Sequence, residues 1–239
     1  LIADLFMGLD AERKVNEGLK VIAAEVAKAE RLQTDDMFLL KVLQFQELLD
    51  VRHSVFILGP TGCGKTCIWK TLNGVHNWDT EKGQYKPKKT AIYEPVNPKA
   101  VTGDELYGYM TLAKDWKDGV LSIIMRGMAK NMPEQGYHEF QTYKWVVLDG
   151  DIDSIWIESM NTVMDDNKVL TLVSNERIPL SDSMRMLFEI DSLANATPAT
   201  VSRAGILYIN ASDVGYFPYI ESWVEKRIDE RERATLPGL

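Results

Sequence analysis

Residues 53–66, HSVFILGPTGCGKT, decide how the whole chain reads. The first six, His53 to Leu58, form a short and nearly continuous apolar run, the pattern of a strand buried on both faces. The next eight, Gly59-Pro60-Thr61-Gly62-Cys63-Gly64-Lys65-Thr66, match G-x-x-x-x-G-K-[ST]. Residues 67–72 then continue as a helix. Phosphates need several backbone N–H donors converging on them, and glycines let the chain wrap that closely. A helix opening at the loop's end adds its positive dipole terminus. Lys65 brings a point charge for the outer phosphates, and Thr66 brings a hydroxyl for Mg²⁺. Gly59 to Thr66, with Cys67 at the helix start, are therefore expected to hold ATP or ADP with Mg²⁺. Cys63 and Cys67 read as small packing residues, because a metal pair would need further Cys or His ligands.

Outward from this centre, four more short apolar runs recur: 90–96 (TAIYEPV), 145–148 (WVVL), 186–190 (MLFEI) and 206–209 (ILYI). Between them lie helical patterns at 119–132 and 154–164, and further helices are expected at 11–31, from 34 onward, and at 217–233. Alternating strands and helices imply βαβ units and a mostly parallel sheet. Residues 73–89 read as an exposed polar excursion. Residues 169–180 have hairpin character.

Asp149 follows the WVVL run, where a nucleotide site needs its Mg²⁺-side acid. The next residue is Gly150, which has no base to activate water. Asp151 lies one further on and points elsewhere if the strand persists. A positioned general base contributes typically ~10²–10⁴-fold. The expectation is a site that holds ATP and hydrolyses it poorly. The alternative is a free-standing ATPase or nucleotide kinase using Asp151 as base. A GTPase is disfavoured, because Asn167-Lys168 is followed by Val169-Leu170 and the guanine-reading Asp is missing.

The chain has 27 Lys+Arg against 35 Asp+Glu, a net charge of −8. That acidity argues against nucleic-acid partners, which need excess positive charge. Two cysteines cannot build a disulfide scaffold. No apolar run approaches the ~18 residues of a membrane span, so no membrane partner is expected. The chain opens on Leu1 without Met and reads as a piece of something longer.

Several strings carry a more specific resemblance: VRHSVFILGPTGCGKTCIWKTL (51–72), NPKAVTGDELYGYM (97–110), DWKDGVLSIIMR (115–126), WVVLDGDIDSIWIESMNTVMDDNKVLTLVSNERIPL (145–180) and NATPATVSRAGILYI (195–209). They resemble the second AAA+ module of axonemal dynein heavy chains. The resemblance implies a P-loop α/β/α sandwich, the AAA+ large subdomain, with the small α-helical lid largely absent. It divides the chain into a connector and helix from the preceding module (1–33), the α/β subdomain (34–216) and a charged helix leading towards the lid (217–239). It implies a module that binds ATP without appreciable turnover, within a ring of six modules in one chain. Partners would be the neighbouring modules and the linker, with microtubules reached only through the parent motor, in the cytoplasm, cytoskeleton and ciliary or flagellar axoneme. Arg203 falls at the family's arginine finger, which reaches the γ-phosphate in the neighbouring first module. Segments 107–116 and 168–179 resemble two inserts that approach the linker. The sensor-1 position falls around Asp191–Ser192, and Leu5, Phe6 and Gly8 resemble residues bordering the adenine.

Overall fold

A computed structural model of the chain describes residues 16–227, with the side chains of Ser154 and Ile155 excepted. The segment with Leu5, Phe6 and Gly8 lies outside the described residues. Five parallel strands form the central sheet: β1 (Ser54–Leu58), β2 (Ala91–Val96), β3 (Tyr143–Asp149), β4 (Met184–Ile190) and β5 (Gly205–Tyr208). Their order is β5-β1-β4-β3-β2. All five expected strands form. The three central strands, β1, β4 and β3, are buried on both faces and so are apolar at successive positions; the edge strands β2 and β5 alternate between buried and more open positions.

The pleat divides each strand between two cores. Trp145 and Val147 of β3 join Val55, Ile57 and Leu187 under helices α1 (Glu17–Ala29), α2 (Asp36–Val51) and α3 (Lys65–His76). Val146 and Leu148 join Phe56 and Phe188 on the opposite face, under α4 (Val120–Lys130) and α5 (Ser154–Met164). This is an α/β/α sandwich. Helix α2 starts on Asp35, whose side chain accepts from the N–H groups of Met37 and Phe38 at 2.9 and 3.4 Å.

Two expectations need correction. Helix α3 does not stop at Leu72 but runs to His76, and the polar residues after it are not an exposed excursion throughout. Asn73 and Asn77 are buried. The Asn77 amide accepts from the N–H groups of Thr90 and Ala91 at 2.8 and 2.9 Å and donates to the Ala91 carbonyl at 2.7 Å. It thereby stitches the end of α3 to the start of β2, so its polarity serves the interior. A small ribbon, Trp78–Asp79 against Gln84–Tyr85, occupies the rest. The closing helix, α6, spans Phe217–Glu225 and is capped at Lys226, so it stops short of the expected 217–233 span; residues 228–233 lie outside the described residues.

The two insert segments are both antiparallel ribbons: Gly108–Met110 with Trp116–Asp118, and Val169–Thr171 with Arg177–Pro179. Arg126 of α4 ties them together. It makes a two-pronged contact with Asp118 at 2.9 and 2.8 Å and another with Glu176 at 2.9 and 2.6 Å. No helix among the described residues is long and apolar enough to cross a membrane.

His76 gives the fold a pH dependence. Its ring stacks on Tyr143 at 3.8 Å and meets the edge of Trp145 at 5.9 Å. Burial, with the nearby Lys86 charge, lowers its pKa to about 4. The unfolded chain therefore takes up this proton near pH 6.5 and the folded protein only near 4. Stability is complete above the upper value and falls as pH drops towards the lower. Between about pH 7.5 and about pH 5 the loss is ~2 kcal/mol. Urea midpoints at the two pH values should show it, and His76→Phe should remove most of the difference.

Candidate nucleotide-binding site

The loop that follows β1 is shaped by what a side chain would strike. A Cβ on Gly59 would lie 2.4 Å from the Ile209 carbonyl oxygen and 2.8 Å from the Cys63 sulfur, so only glycine fits between the ends of β4 and β5. Gly64, at φ +94°, caps α3 in the left-handed region. From there Lys65, Thr66 and Cys67 form the helix's first turn, with the helix N-terminus facing the loop.

Lys65 is 7% exposed. Its Nζ donates to the carbonyls of Gly59 and Pro60 at 2.6 and 3.2 Å and to Asp191 Oδ1 at 2.5 Å. The Thr61 hydroxyl donates to the other Asp191 oxygen at 2.7 Å. These two contacts hold the Asp191 carboxyl below its ordinary pKa, Lys65 contributing most. Asp191 thus grips the lysine and the loop hydroxyl that an anionic ligand would need, and such a ligand must displace it.

Lys65, Thr66, Asp149, Gly150, Asp151, Glu189 and Asp191 line one cavity of about 470 Å³. Asp149 ends β3 in the open, without a hydrogen bond or ion pair among the described residues. Asp151 is turned aside. One oxygen accepts from the Asp191 N–H at 3.1 Å and the other lies 3.7 Å from Lys99 Nζ. Cys63 and Cys67 are free thiols. Burial raises both pKa values, so they pack as neutral groups.

Glu189 escaped the sequence reading. It stands in β4 opposite Asp149 and is 7% exposed. Thr66 Oγ1 donates to one of its oxygens at 2.6 Å and Trp69 Nε1 to the other at 2.9 Å. A single acid inside MLFEI looked like an ordinary strand residue. Only the strand order brings it beside Thr66. The Thr66 hydroxyl and the Asp149 carboxylate offer the oxygen-only chemistry that fits Mg²⁺, with Glu189 directly beside the hydroxyl. No group of three or more His, Cys, Asp or Glu forms a metal cage among the described residues. Mg²⁺ is commonly held by one or two carboxylates with substrate phosphates and water.

A second, smaller cavity of about 200 Å³ adjoins the loop at Gly62, Gly64 and Cys67. Leu32, Phe38, Pro218, Tyr219 and Trp223 give it an apolar wall. Polar phosphate groove and apolar annex together have the form of a nucleotide pocket.

Arg203 is far from this pocket. It ends the short helix Pro198–Arg203, just before β5, and its guanidinium is paired with Asp165. Strand β5 runs parallel to β1 with Gly205 beside Val55. Arg203 therefore sits level with the beginning of β1, while the loop leaves its end. Six residues of strand at ~3.3 Å each put ~20 Å between them.

A parallel α/β/α sandwich with a glycine loop running from β1 into α3 defines a P-loop nucleotide-binding fold of the AAA type. Residues 54–204 match the family model described as "AAA domain (dynein-related subfamily)". The chain belongs to that family. Residues 1–66 also match the model described as "Hydrolytic ATP binding site of dynein motor region". The chain is 51% identical over 237 residues to the ciliary dynein beta chain of Heliocidaris crassispina and to dynein axonemal heavy chain 17 of Homo sapiens. These alignments cover 99% of this chain and 5% of each relative. The flagellar outer arm dynein beta chain of Chlamydomonas reinhardtii is 50% identical over 228 residues, covering 95% of the chain and 5% of that relative. The chain thus spans about a twentieth of the length of these relatives.

Proposed function

We propose that this chain is the second AAA+ module of an axonemal dynein heavy chain, working in the cilium or flagellum, and that it holds ATP with Mg²⁺ as a structural brace while hydrolysing it little. The observation that carries the reading is Gly150, which follows Asp149 beside an intact phosphate loop. Of the nearby acids, Asp151 is engaged by Lys99 and the Asp191 N–H. This geometry disfavours the reading as an ATPase with Asp151 as base.

The residues divide the work. Loop amides of Gly59 to Thr66 and the start of α3 bind the phosphates, and Lys65 exchanges Asp191 for the outer ones. Thr66 and Asp149 hold the metal, which neutralises phosphate charge when bound. The apolar annex takes the base against Tyr219 and Trp223. Arg203 serves the preceding module's site, and the two tied ribbons face the linker. Residues 1–33 belong to the connection from that preceding module, 34–216 are the large subdomain, and 217–239 lead towards the lid. Microtubules are reached through the rest of the heavy chain.

Isothermal titration tests the core of this. ATP with Mg²⁺ should saturate one site, and Lys65→Ala should weaken it about ten- to hundredfold, the worth of charge-assisted contacts. Phosphate release should stay near background. Absent binding, or brisk release by the unaltered chain, refutes the reading.

A further inference from the structure

Glu189 is a buried carboxylate with no Lys, Arg or His paired to it among the described residues. The nearest loop cation, Lys65, is already committed to Asp191 and two carbonyls. An uncompensated buried charge is costly, so a carboxylate kept in this place calls for a cation. Its neighbours say which kind. It lies opposite Asp149 across the β4–β3 register, and its Oε1 accepts a hydrogen bond from the Thr66 hydroxyl.

That proton is the key. A threonine hydroxyl has one proton and two lone pairs. With the O–H donating to Glu189, both lone pairs are free to face the pocket. If the hydroxyl instead accepted a hydrogen bond there, one lone pair would be used and its dipole would turn the wrong way for a metal. Trp69 Nε1–H fixes the second oxygen of Glu189 at 2.9 Å, so the carboxylate cannot swing away. Trp69 is itself 2% exposed and bears on Tyr93 at 4.8 Å.

We propose that Glu189 is a positioning residue for the magnesium ion: from the strand beside Asp149 it accepts the hydrogen bond of the Thr66 hydroxyl, aims the hydroxyl oxygen at the metal, and adds a second negative charge behind it. The proposal rests on the reading of this pocket as a Mg²⁺–nucleotide site. Thr66 and Trp69, both on α3, hold one oxygen each, so the carboxylate is oriented towards that helix.

The test is the gain in nucleotide affinity that Mg²⁺ confers, measured with a fluorescent ATP analogue in Mg²⁺ and in EDTA. In Glu189→Gln the amide must present an N–H to one of its two partners, and the gain should fall about tenfold or more, as for other residues that orient metal ligands. Affinity in EDTA should change little. Thr66→Ala should remove a similar share of the gain, and adding Glu189→Gln to it should then cost almost nothing more, because the glutamate acts through that hydroxyl. Trp69→Phe, which keeps an aromatic ring but removes the N–H and so frees one oxygen, should give a smaller loss. An undiminished gain in Glu189→Gln overturns the proposal. So does an equal loss in the presence and absence of Thr66, which would mark a general packing role. Loss of Lys65-dependent ATP binding by the unaltered chain is a separate result, and it removes the nucleotide reading itself along with this one.

Discussion

Gly150→Glu is expected to turn this module into an ATPase, raising phosphate release roughly 10²–10⁴-fold, the contribution of a positioned general base. The backbone permits it. Gly150 does not lie in the left-handed region, and its N–H is held by the Glu189 carbonyl at 3.2 Å, so its direction is fixed. A Cβ there would stand 3.1 Å from Asn97 Oδ1. That side chain must move a few tenths of an ångström, at the expense of its contact with the Lys99 N–H at 2.9 Å. Steady-state phosphate release measures the effect, with Lys65→Ala added in the same chain to set the zero. A Gly150→Glu variant that binds ATP as before and releases no more phosphate than its parent would show that something besides the missing base holds the rate down.

The four acids at the carboxyl edge of the sheet make this substitution informative, because none of them fills the gap. Asp149 lines the cavity at the open end of β3, Glu189 is held by Thr66 and Trp69, and Asp191 sits on Lys65. Asp151 is held by Lys99 and a backbone N–H. Of the four carboxylates in the pocket, three are held by donors and only Asp149 is without a partner among the described residues. Asp191 satisfies Lys65 and the Thr61 hydroxyl much as phosphate oxygens would.

What the sequence disclosed follows from burial. Strands β1, β3 and β4 are apolar on both faces, so each announced itself as a run, and the glycine loop announced itself because phosphate wrapping tolerates few residues. The end of α3 was misread for the opposite reason. Asn73 and Asn77 are polar and buried, and hydrogen bonds to a strand twelve or more residues away satisfy Asn77. Nothing local distinguishes such an asparagine from a surface one. Glu189 was hidden in the same way. Its role depends on the strand order β1-β4-β3, which places it between the loop and Asp149, and no short window of sequence contains that order. The ribbon at 108–118 had no alternation to betray it; Arg126, eight residues further on, anchors it.

Arg203→Ala should do almost nothing to this module and a great deal to the one before it. The ~20 Å between Arg203 and its own loop exceeds any side chain's reach, so an effect on the chain's own nucleotide affinity is not expected. An arginine supplied across a module boundary can be worth ~10³–10⁵ in rate. In a heavy chain carrying both modules, ATP turnover at the preceding site should fall by that order, with its nucleotide affinity much less affected. Folding should survive. The Arg203–Asp165 pair is partly exposed, at 29% and 34%, and such pairs contribute ~1 kcal/mol or less. Asp165→Asn separates the two roles. It removes the ion pair and leaves the guanidinium, so turnover should drop far less than in Arg203→Ala. If Asp165→Asn and Arg203→Ala lower the rate equally, the arginine acts by bracing helix α5 and not by touching phosphate. If neither lowers it, no finger reaches the neighbouring site from here.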